Sequence, residues 1–238
     1  MPLMVSTSSL AGPARASNQD CLTTQSLAGG GVLVCIADGL GGYEASAEAS
    51  GFACDWVSAQ LAAYSKQDIL TQRALKAAVQ DANLRLWQQA LDRATALKTT
   101  LSVLVCLPDE ALLAHVGDCR VLLVRDGHML QLTRDHSWSR DLSVFGWLLH
   151  GGQKRTRHTL HRALGDQPIV RVDTARLALQ AGDRFVLCSD GVWGYLSASA
   201  FAALALAPLD NQSLAERLAG EALAVGGVDD ASAAVVSV

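Results

Sequence analysis

Residues 34–42 read VCIADGLGG, a run of apolar residues that ends in Asp38 and continues into glycines. The run contains β-branched residues and is bounded by glycine, which predicts a buried strand. Residues 186–191, VLCSDG, repeat the arrangement with Asp190. Asp-Gly steps are common in ordinary turns. Two buried strands that both end at a carboxylate nevertheless suggest that these acids are used together.

The composition predicts one globular domain over residues 1–238. Half of the residues are hydrophobic and 18% are charged, which is enough for one substantial core. The net charge of −4 gives no basic footprint for nucleic acid. No apolar run approaches the roughly 20 residues that span a bilayer, and the N-terminus lacks a signal-peptide pattern. We therefore expect a cytoplasmic protein without membrane insertion.

The six cysteines predict free thiols rather than disulfides. None forms a CxxC pair, and Cys35, Cys106 and Cys188 lie within apolar, strand-like runs. Free cysteine behaves there as a small hydrophobic residue, which suits a reducing cytoplasm. We expect all six to be structural.

The spacing of apolar residues predicts blocks of helix and strand. Alanine-rich stretches over 44–64 and 66–96 have the period of amphipathic helices. Four short apolar runs separated by turn signals then predict an antiparallel meander: 99–107, 111–118, 120–127 and 128–133. Further strands, helices and a last strand follow at 169–178, 184–189, 197–206, 212–225 and in the final SAAVVSV. This block order predicts an α+β fold with helices packed over a sheet core.

Acidic residues stand at four predicted strand or turn boundaries. They are Asp20, Asp38-Gly39, Asp190-Gly191 and Asp229-Asp230. Hard cations such as Mg²⁺ and Mn²⁺ prefer carboxylate and carbonyl oxygens and retain several waters. A glycine after the aspartate lets the backbone carbonyl approach the same ion. Each step alone is more often a plain turn, as we expect for Asp126-Gly127; together they indicate a divalent cation site.

Eight segments carry a likeness to a known family and occur in its order. They are RASNQD (15–20), ADGLGG (37–42), TTLSVLV (99–105), HVGDCRVLLV (115–124), LTRDHS (132–137), RALG (162–165), GDRFVLCSDGVWGYLS (182–197) and GGVDDASAAVV (226–236). On these segments the chain resembles the metal-dependent serine/threonine protein phosphatases of the type 2C family, of the bacterial kind. The resemblance implies a central β-sandwich of two antiparallel sheets flanked by helices on both sides (αββα), with a two-metal site at one edge.

The resemblance assigns metal-binding roles to five positions. Asp38 would bridge two Mn²⁺ or Mg²⁺ ions, and the Gly39 carbonyl would complete one shell. Asp190 and Asp229 would hold the other ion. Asp118 matches an acidic position that binds a third, looser ion in bacterial members.

Two further positions would act on the substrate and on water. Arg15 matches the arginine that binds the substrate phosphate, and Asp20 matches an acid near the metals that acts mainly through water. Two ions about 4 Å apart can share a water, lower its pKa and direct the resulting hydroxide at phosphorus without a phosphoenzyme. A forked guanidinium suits a phosphate dianion. None of the cysteines lies in a phosphate-loop motif that would suit a thiol nucleophile.

Three positions depart from the family's pattern. Leu40 stands where many eukaryotic members have a histidine proposed as the acid for the leaving group, so a water or another histidine would have to supply the proton. Asp230 stands where the family usually has asparagine, and its charge could raise metal affinity or a neighbour's pKa. Lys98 replaces the glycine that usually precedes Thr99.

Several ring side chains in the motifs have structural interpretations. We expect His115 to be buried in the core, His136 to brace a turn and Trp193 to pack. His158 and His161 form an HxxH pair, which would need a helix to bind a metal and has no acidic partner pattern.

Segment 138–161 corresponds to the family's variable flap beside the active site. Its apolar centre is followed by a Gly-Gly pair and the basic cluster QKRTRH (153–158). A charge run is usually a solvated loop. The alternative hypothesis is that Lys154, Arg155 and Arg157 recognise the acidic surroundings of a phosphorylated residue.

The sequence therefore predicts a metal-dependent phosphoserine/phosphothreonine protein phosphatase. It would act as a monomer on phosphorylated proteins, opposite a serine/threonine kinase. One alternative is a catalytically weak relative that binds phosphoproteins as a regulatory module; lost ligand aspartates would mark it, and the principal positions are filled. Another is a hydrolase of small phosphate esters, although no Walker-type loop supports nucleotide use.

Overall fold

The strands pair into two large antiparallel sheets whose inner faces pack on each other. The structure, a computed structural model, describes residues 3–41, 43–67, 69–141 and 156–238. Its strands are β1 (Met4–Leu10), β2 (Asp20–Ser26), β3 (Val32–Leu40), β4 (Lys98–Thr99), β5 (Leu101–Cys106), β6 (Glu110–Val116), β7 (Arg120–Arg125), β8 (His128–Gln131), β9 (Ser137–Asp141), β10 (Thr156–Leu160), β11 (Asp173–Ala178), β12 (Arg184–Cys188) and β13 (Ala231–Ser237). Its helices are α1 (Tyr43–Lys66), α2 (Gln72–Arg93), α3 (Asp190–Trp193), α4 (Ala198–Ala205) and α5 (Asn211–Ala224).

Strand order places the two ends of the chain in the same sheet. One sheet has the order β1-β13-β12-β7-β8, so the first and last strands are neighbours. The other has the order β11-β6-β5-β3-β2, with β4 pairing on β3. Strands β9 and β10 form a separate hairpin. In the second sheet β3 is an interior strand, paired with β5 and β2, and β2 lies at the edge.

Central strands are buried on both faces, which explains their unbroken apolar runs. In β3, Val34 and Ile36 pack between the sheets with Phe185 of β12. The alternate residues Leu33 and Cys35 face helices α1 and α2. Helices α4 and α5 cover the outer face of the other sheet in the same way. Because both faces of each sheet are covered, apolar residues occur at consecutive positions in the interior strands, and the predicted αββα arrangement is confirmed.

The four runs predicted as one meander divide between the two sheets. β5 pairs with β6 and β7 pairs with β8, but the two hairpins belong to opposite sheets. The chain crosses over after β6 at Gly117, whose φ of 114° and close approach to the Thr100 side chain favour glycine. The prediction of a single meander was wrong because hairpin signals are local and do not specify which sheet each hairpin joins.

Two edge strands were missing from the predicted pattern. β1 and β2 read MVSTSSL and DCLTTQS, mostly polar sequences whose side chains are half-buried or exposed. The predicted helix over 66–96 begins instead at Gln72, where the Thr71 side chain accepts a hydrogen bond from Ala74 N at 3.2 Å. Such caps fix helix starts more sharply than alanine content does.

The histidine predictions have different outcomes. His115 is buried, with its ring nitrogens 2.8 Å from Ser102 Oγ and 3.1 Å from the Arg134 carbonyl, so its predicted core position is confirmed. His158 lies in strand β10, and His161 follows that strand. The helical HxxH alternative was therefore wrong.

The predicted flap falls largely outside the described residues. Of segment 138–161, the structure describes the strands of the β9–β10 hairpin, whereas 142–155 lie outside, including Lys154 and Arg155. In the described ranges no helix has both the length and the apolar character needed to cross a bilayer.

Truncating Phe185 to alanine should test the sandwich core. Phe185 is fully buried between the sheets, so Phe185→Ala should lower the free energy of unfolding by about 3–5 kcal/mol. Leu130→Ala on the exposed face of β8, where the side chain is 61% exposed, should change it by about 0.5 kcal/mol or less. Urea titration would measure both, and equal effects would contradict the layer assignment.

Candidate active site

The register between β2 and β3 brings two acidic residues side by side. Asp20 lies directly opposite Asp38. From the other sheet, Asp190 begins α3 just after β12, and Asp229 precedes β13, the strand that pairs with β12. Ser189, the residue before Asp190, donates a hydrogen bond to Asp20, and the charges of Asp38 and Asp190 act on each other. Acidic residues from both sheets therefore meet at one edge of the sandwich.

Burial and mutual repulsion raise the pKa values of these carboxyl groups. The pKa of Asp38 lies well above its ordinary value because the group is desolvated and faces Asp190 and Asp20. Asp190 is raised in pKa for the same reason, desolvation first and then its acidic neighbours. Desolvation raises the pKa of Asp20 to about 7. Carboxyl groups this close need either a shared proton or a cation between them.

Asp118 adds a carboxylate from the crossover between the sheets. It is buried, and within the described part of the chain its Oδ1 has no hydrogen-bond partner. Desolvation, followed by the charge of Asp135, raises its pKa to about 6. Its charge also acts on Asp38 and Asp190. A buried oxygen without a partner is unfavourable, and a bound cation would satisfy it.

The available oxygen ligands fit a hydrated, hard divalent cation. The converging groups are carboxylates, the ligands that Mg²⁺ and Mn²⁺ prefer. Among the described residues, no three or more His, Cys, Asp or Glu side chains are arranged to hold one ion by themselves. Mg²⁺ usually binds through one or two carboxylates and keeps several waters. A site that completes its shell with water and a backbone carbonyl is therefore compatible with these residues.

Arg15 lies at the same edge and forms an ion pair with Asp229. Its Nη2 donates to Asp229 Oδ1, and its Nη1 donates to Gln19 Oε1 at 2.6 Å. Burial lowers the pKa of the guanidinium, but the charges of Asp229, Asp230 and Asp38 raise it above the ordinary value. An anion-binding group is thus fixed beside the groups that could bind cations.

Asp230 ties the Arg15 segment to the start of β13. Its Oδ1 accepts a hydrogen bond from Gly12 N and its Oδ2 accepts one from Gln19 N, each at 2.8 Å. The side chain is buried, and both oxygens are used by the main chain. The structure therefore gives Asp230 a positioning role for the segment that carries Arg15. The charge of Asp230 contributes to the raised pKa of Asp20.

Three hydroxyl residues that support the acids were missed in the sequence. Asp38 N donates to Thr100 Oγ1 at 2.8 Å, and Thr99 Oγ1 donates to the Asp38 carbonyl at 2.8 Å. Ser189 Oγ donates to Asp20 Oδ2 at 2.7 Å. The Thr-Thr pair stands out in the TTLSVLV motif, but only the pairing of β3 with β4 shows what it contacts.

Rings brace the loop that carries Asp118. Trp193 is buried and its Nε1 donates to the Asp118 carbonyl at 2.9 Å, while the Arg120 guanidinium lies 3.6 Å above the indole. His136 Nδ1 accepts from Gly117 N at 3.0 Å, and His136 N donates to the Gly117 carbonyl at 2.7 Å. The predicted bracing role of His136 is confirmed, and Trp193 packs as expected.

Other proteins share this sequence pattern over nearly the whole chain. A family profile described as "Protein phosphatase 2C" matches residues 14–224. Protein phosphatase PhpP of Streptococcus pneumoniae is 27% identical over 234 residues, 95% of this chain and 94% of that protein. Serine/threonine protein phosphatase PstP of Mycobacterium tuberculosis is 32% identical over 235 residues, 95% of this chain and 43% of that protein.

Solved structures show the same fold. PppA of Pseudomonas aeruginosa, described as a key regulatory component of T6SS, superposes with a TM-score of 0.79 at 27% identity over 100% of this chain and 98% of its own. The catalytic domain of PstP in complex with two manganese ions gives a TM-score of 0.78 at 27% identity, covering 99% and 97%. The family profile covers most of the sequence, and the fold agrees throughout. The chain therefore belongs to the protein phosphatase 2C family.

Proposed function

We propose that this protein is a phosphoserine/phosphothreonine protein phosphatase that requires Mn²⁺ or Mg²⁺ and passes the phosphoryl group directly to water. The observation that carries the proposal is the meeting of acids from both sheets at one edge: Asp20 lies opposite Asp38 and is joined to Ser189 beside Asp190, and Arg15 is paired with Asp229. The PstP catalytic domain with two manganese ions, at 27% identity, supports the metal requirement.

Asp38 and Asp190 would hold the two ions. Asp38 would lie between the ions, the Gly39 carbonyl would complete one shell, and Asp229 would join Asp190 at the other. When bound, the ions would activate a water for in-line attack on phosphorus and neutralise charge on the phosphoryl oxygens. Asp118, whose buried Oδ1 has no partner among the described residues, would hold a third ion.

Arg15 would bind the phosphate of the substrate. Guanidinium groups recognise phosphate through two parallel N–H donors. Its bonds to Asp229 and Gln19 fix the side chain while using only part of its five-donor fork. Arg15 would therefore orient the phosphoryl group next to the metal-binding carboxylates.

Asp20 would orient water near the metals, with Ser189 fixing its carboxylate. Leu40 carries no titratable proton, so a water would protonate the leaving alkoxide. The proposal includes a phosphorylated protein as substrate, a serine/threonine kinase as the enzyme that adds the phosphate, and a monomer in the cytoplasm. The regulatory binding-module alternative is not favoured, because the named relatives are phosphatases and the acidic positions are filled.

Phosphate release from a phosphothreonine peptide should require Mn²⁺ or Mg²⁺ and stop in EDTA. Asp38→Asn and Asp190→Asn should each lower kcat/KM at least about a hundredfold, because each removes a carboxylate from the metal site. Asp126→Asn, in the turn between β7 and β8, should keep full activity. Tight phosphopeptide binding by the wild-type protein without turnover in any metal would support the binding module instead.

Arg15→Lys keeps the positive charge but removes the forked guanidinium donors, so it tests whether those donors bind the phosphate. Loss of bidentate geometry should cost about 1.5–3 kcal/mol, or roughly 10- to 100-fold in kcat/KM. The loss should be similar for an aryl phosphate and a phosphopeptide, since both present the same phosphate group. Arg217→Lys, in an exposed pair on α5, is the matched control. A loss confined to the peptide would place Arg15 in peptide recognition.

Asp20 should make the metal-free protein less stable as the pH rises from about 4 to 7. Its folded pKa of about 7 exceeds the ordinary 3.8, so in this window the folded state keeps a proton that the unfolded state has lost. The contribution is fully present below the unfolded pKa and is lost as pH rises through the folded pKa. The free energy of unfolding of Asp20→Asn, relative to that of wild type, should therefore rise by on the order of 1 kcal/mol per pH unit across this window.

Urea unfolding in EDTA across that pH window would measure the difference. Asp92→Asn, on an exposed site of α2, should track wild type. Added Mn²⁺ should stabilise the wild-type protein, because it binds only the folded state. Parallel pH curves for wild type and Asp20→Asn would contradict the raised pKa of Asp20.

A further inference from the structure

Three thiols meet where helix α1 packs on strands β2 and β3. Cys21 lies on β2, Cys35 on β3 and Cys54 on α1. Cys35 and Cys54 belong to one buried apolar cluster against which Cys21 packs, and the Cys54 Sγ lies 3.6 Å from the Cys21 carbonyl oxygen. The cluster has no part in the chemistry proposed for the carboxylate edge.

Exposure distinguishes the members of this cluster. Cys21 is partly exposed, whereas Cys35 and Cys54 are fully buried. The Cys35 Sγ lies 3.5 Å from Ser58 Oγ of α1, between the sheet and that helix. A dissolved oxidant therefore reaches Cys21 first, and the buried thiol that contacts the Cys21 main chain is that of Cys54.

The position of Cys21 also allows the small movement that a sulfur–sulfur bond requires. A disulfide needs its two sulfurs about 2.05 Å apart, closer than two thiols in contact. Strand β2 is at the edge of its sheet, paired with β3. An edge strand has one side free of ladder hydrogen bonds, so β2 can shift toward α1 without breaking pairs on a second neighbour.

We propose that Cys21 and Cys54 form a reversible disulfide when the protein meets a hydroperoxide. The Cys21 sulfur attacks one peroxide oxygen, the O–O bond breaks, and hydrogen peroxide leaves a sulfenic acid on Cys21 and one water. The Cys54 sulfur then attacks the Cys21 sulfur, the S–O bond breaks, and a second water leaves. Two thiols thus lose two electrons and two protons, and one peroxide gains them.

The bond would act on the neighbouring carboxylate. Cys21 directly follows Asp20 and pairs with Ala37, just as Asp20 pairs with Asp38. Drawing β2 toward α1 at Cys21 displaces Asp20 from Asp38 and from Ser189. This consequence rests on the proposed phosphatase function, whereas formation of the bond does not. Turnover should fall on the order of tenfold on oxidation, because small misplacements at a catalytic site have effects of this size or larger.

Peptide mapping of the full chain after treatment with hydrogen peroxide tests the bond itself. Trypsin would leave all three thiols on one peptide, residues 16–66, because that stretch contains no internal Lys or Arg. An endoproteinase that cleaves before aspartate cuts at Asp38 and Asp55, which separates Cys54 from the other two cysteines. Chymotrypsin then cleaves after Leu22, Leu27 or Leu33 and separates Cys21 from Cys35. A peptide pair joined through Cys21 and Cys54, lost on treatment with dithiothreitol, is the expected result.

Four single variants test whether the bond joins Cys21 to Cys54. Cys21→Ser and Cys54→Ala should each abolish the linked peptide and the peroxide sensitivity of turnover. Cys35→Ala and the distant Cys188→Ala should retain both. A link through Cys35, or none after peroxide, would overturn the proposal, and a mapped link with unchanged turnover would overturn its coupling to Asp20. Absence of turnover before oxidation would instead contradict the phosphatase assignment, with the mapping result standing separately.

Discussion

Repulsion between Asp38 and Asp190 is the constraint on which the site depends. These residues come from different sheets, yet they are close enough for the charge of Asp190 to raise the pKa of Asp38. Two like charges about 4 Å apart near a protein surface repel by about 4 kcal/mol at an effective dielectric constant of 20. A pair of flexible loops would relieve that repulsion by moving apart. Close approach therefore requires acids fixed to elements that cannot separate without disrupting the core.

The sandwich fixes both acids in this way. Asp38 belongs to β3, a strand buried on both faces, and the hydroxyl groups of Thr99 and Thr100 bond to its backbone. Asp190 begins α3, and Gly191 behind it packs so tightly on the Asp230 carbonyl that a Cβ would lie 1.9 Å from the oxygen. The apolar layers between and outside the sheets supply the stability that offsets the repulsion. The unfavourable charge pair is then available for a cation to neutralise.

Much of this could be predicted from the sequence because its signals are local. The unbroken apolar run of 34–37 indicated a strand covered on both faces, but β3 continues through Asp38-Gly39 to Leu40, whereas Asp190-Gly191 lies just beyond β12. The pairing of acids across the sheets could not be derived from spacing, because it depends on which sheet each hairpin joins. The same limitation made the predicted meander wrong. β1 and β2 were missed because edge strands carry polar residues and lack a strong alternation.

The structure gives a physical reason for aspartate at position 230, where the family usually has asparagine. A carboxylate has two equivalent acceptor oxygens, whereas the amide of asparagine has only one. Here both oxygens accept backbone N–H groups, one from Gly12 and one from Gln19. The segment between those two residues carries Arg15, and the residue before Asp230 is the partner of that arginine. The extra negative charge contributes to the raised pKa of Asp20, but the second acceptor anchors both ends of the arginine loop. Aspartate at this position can therefore hold two backbone N–H groups with its side chain where asparagine has one acceptor oxygen.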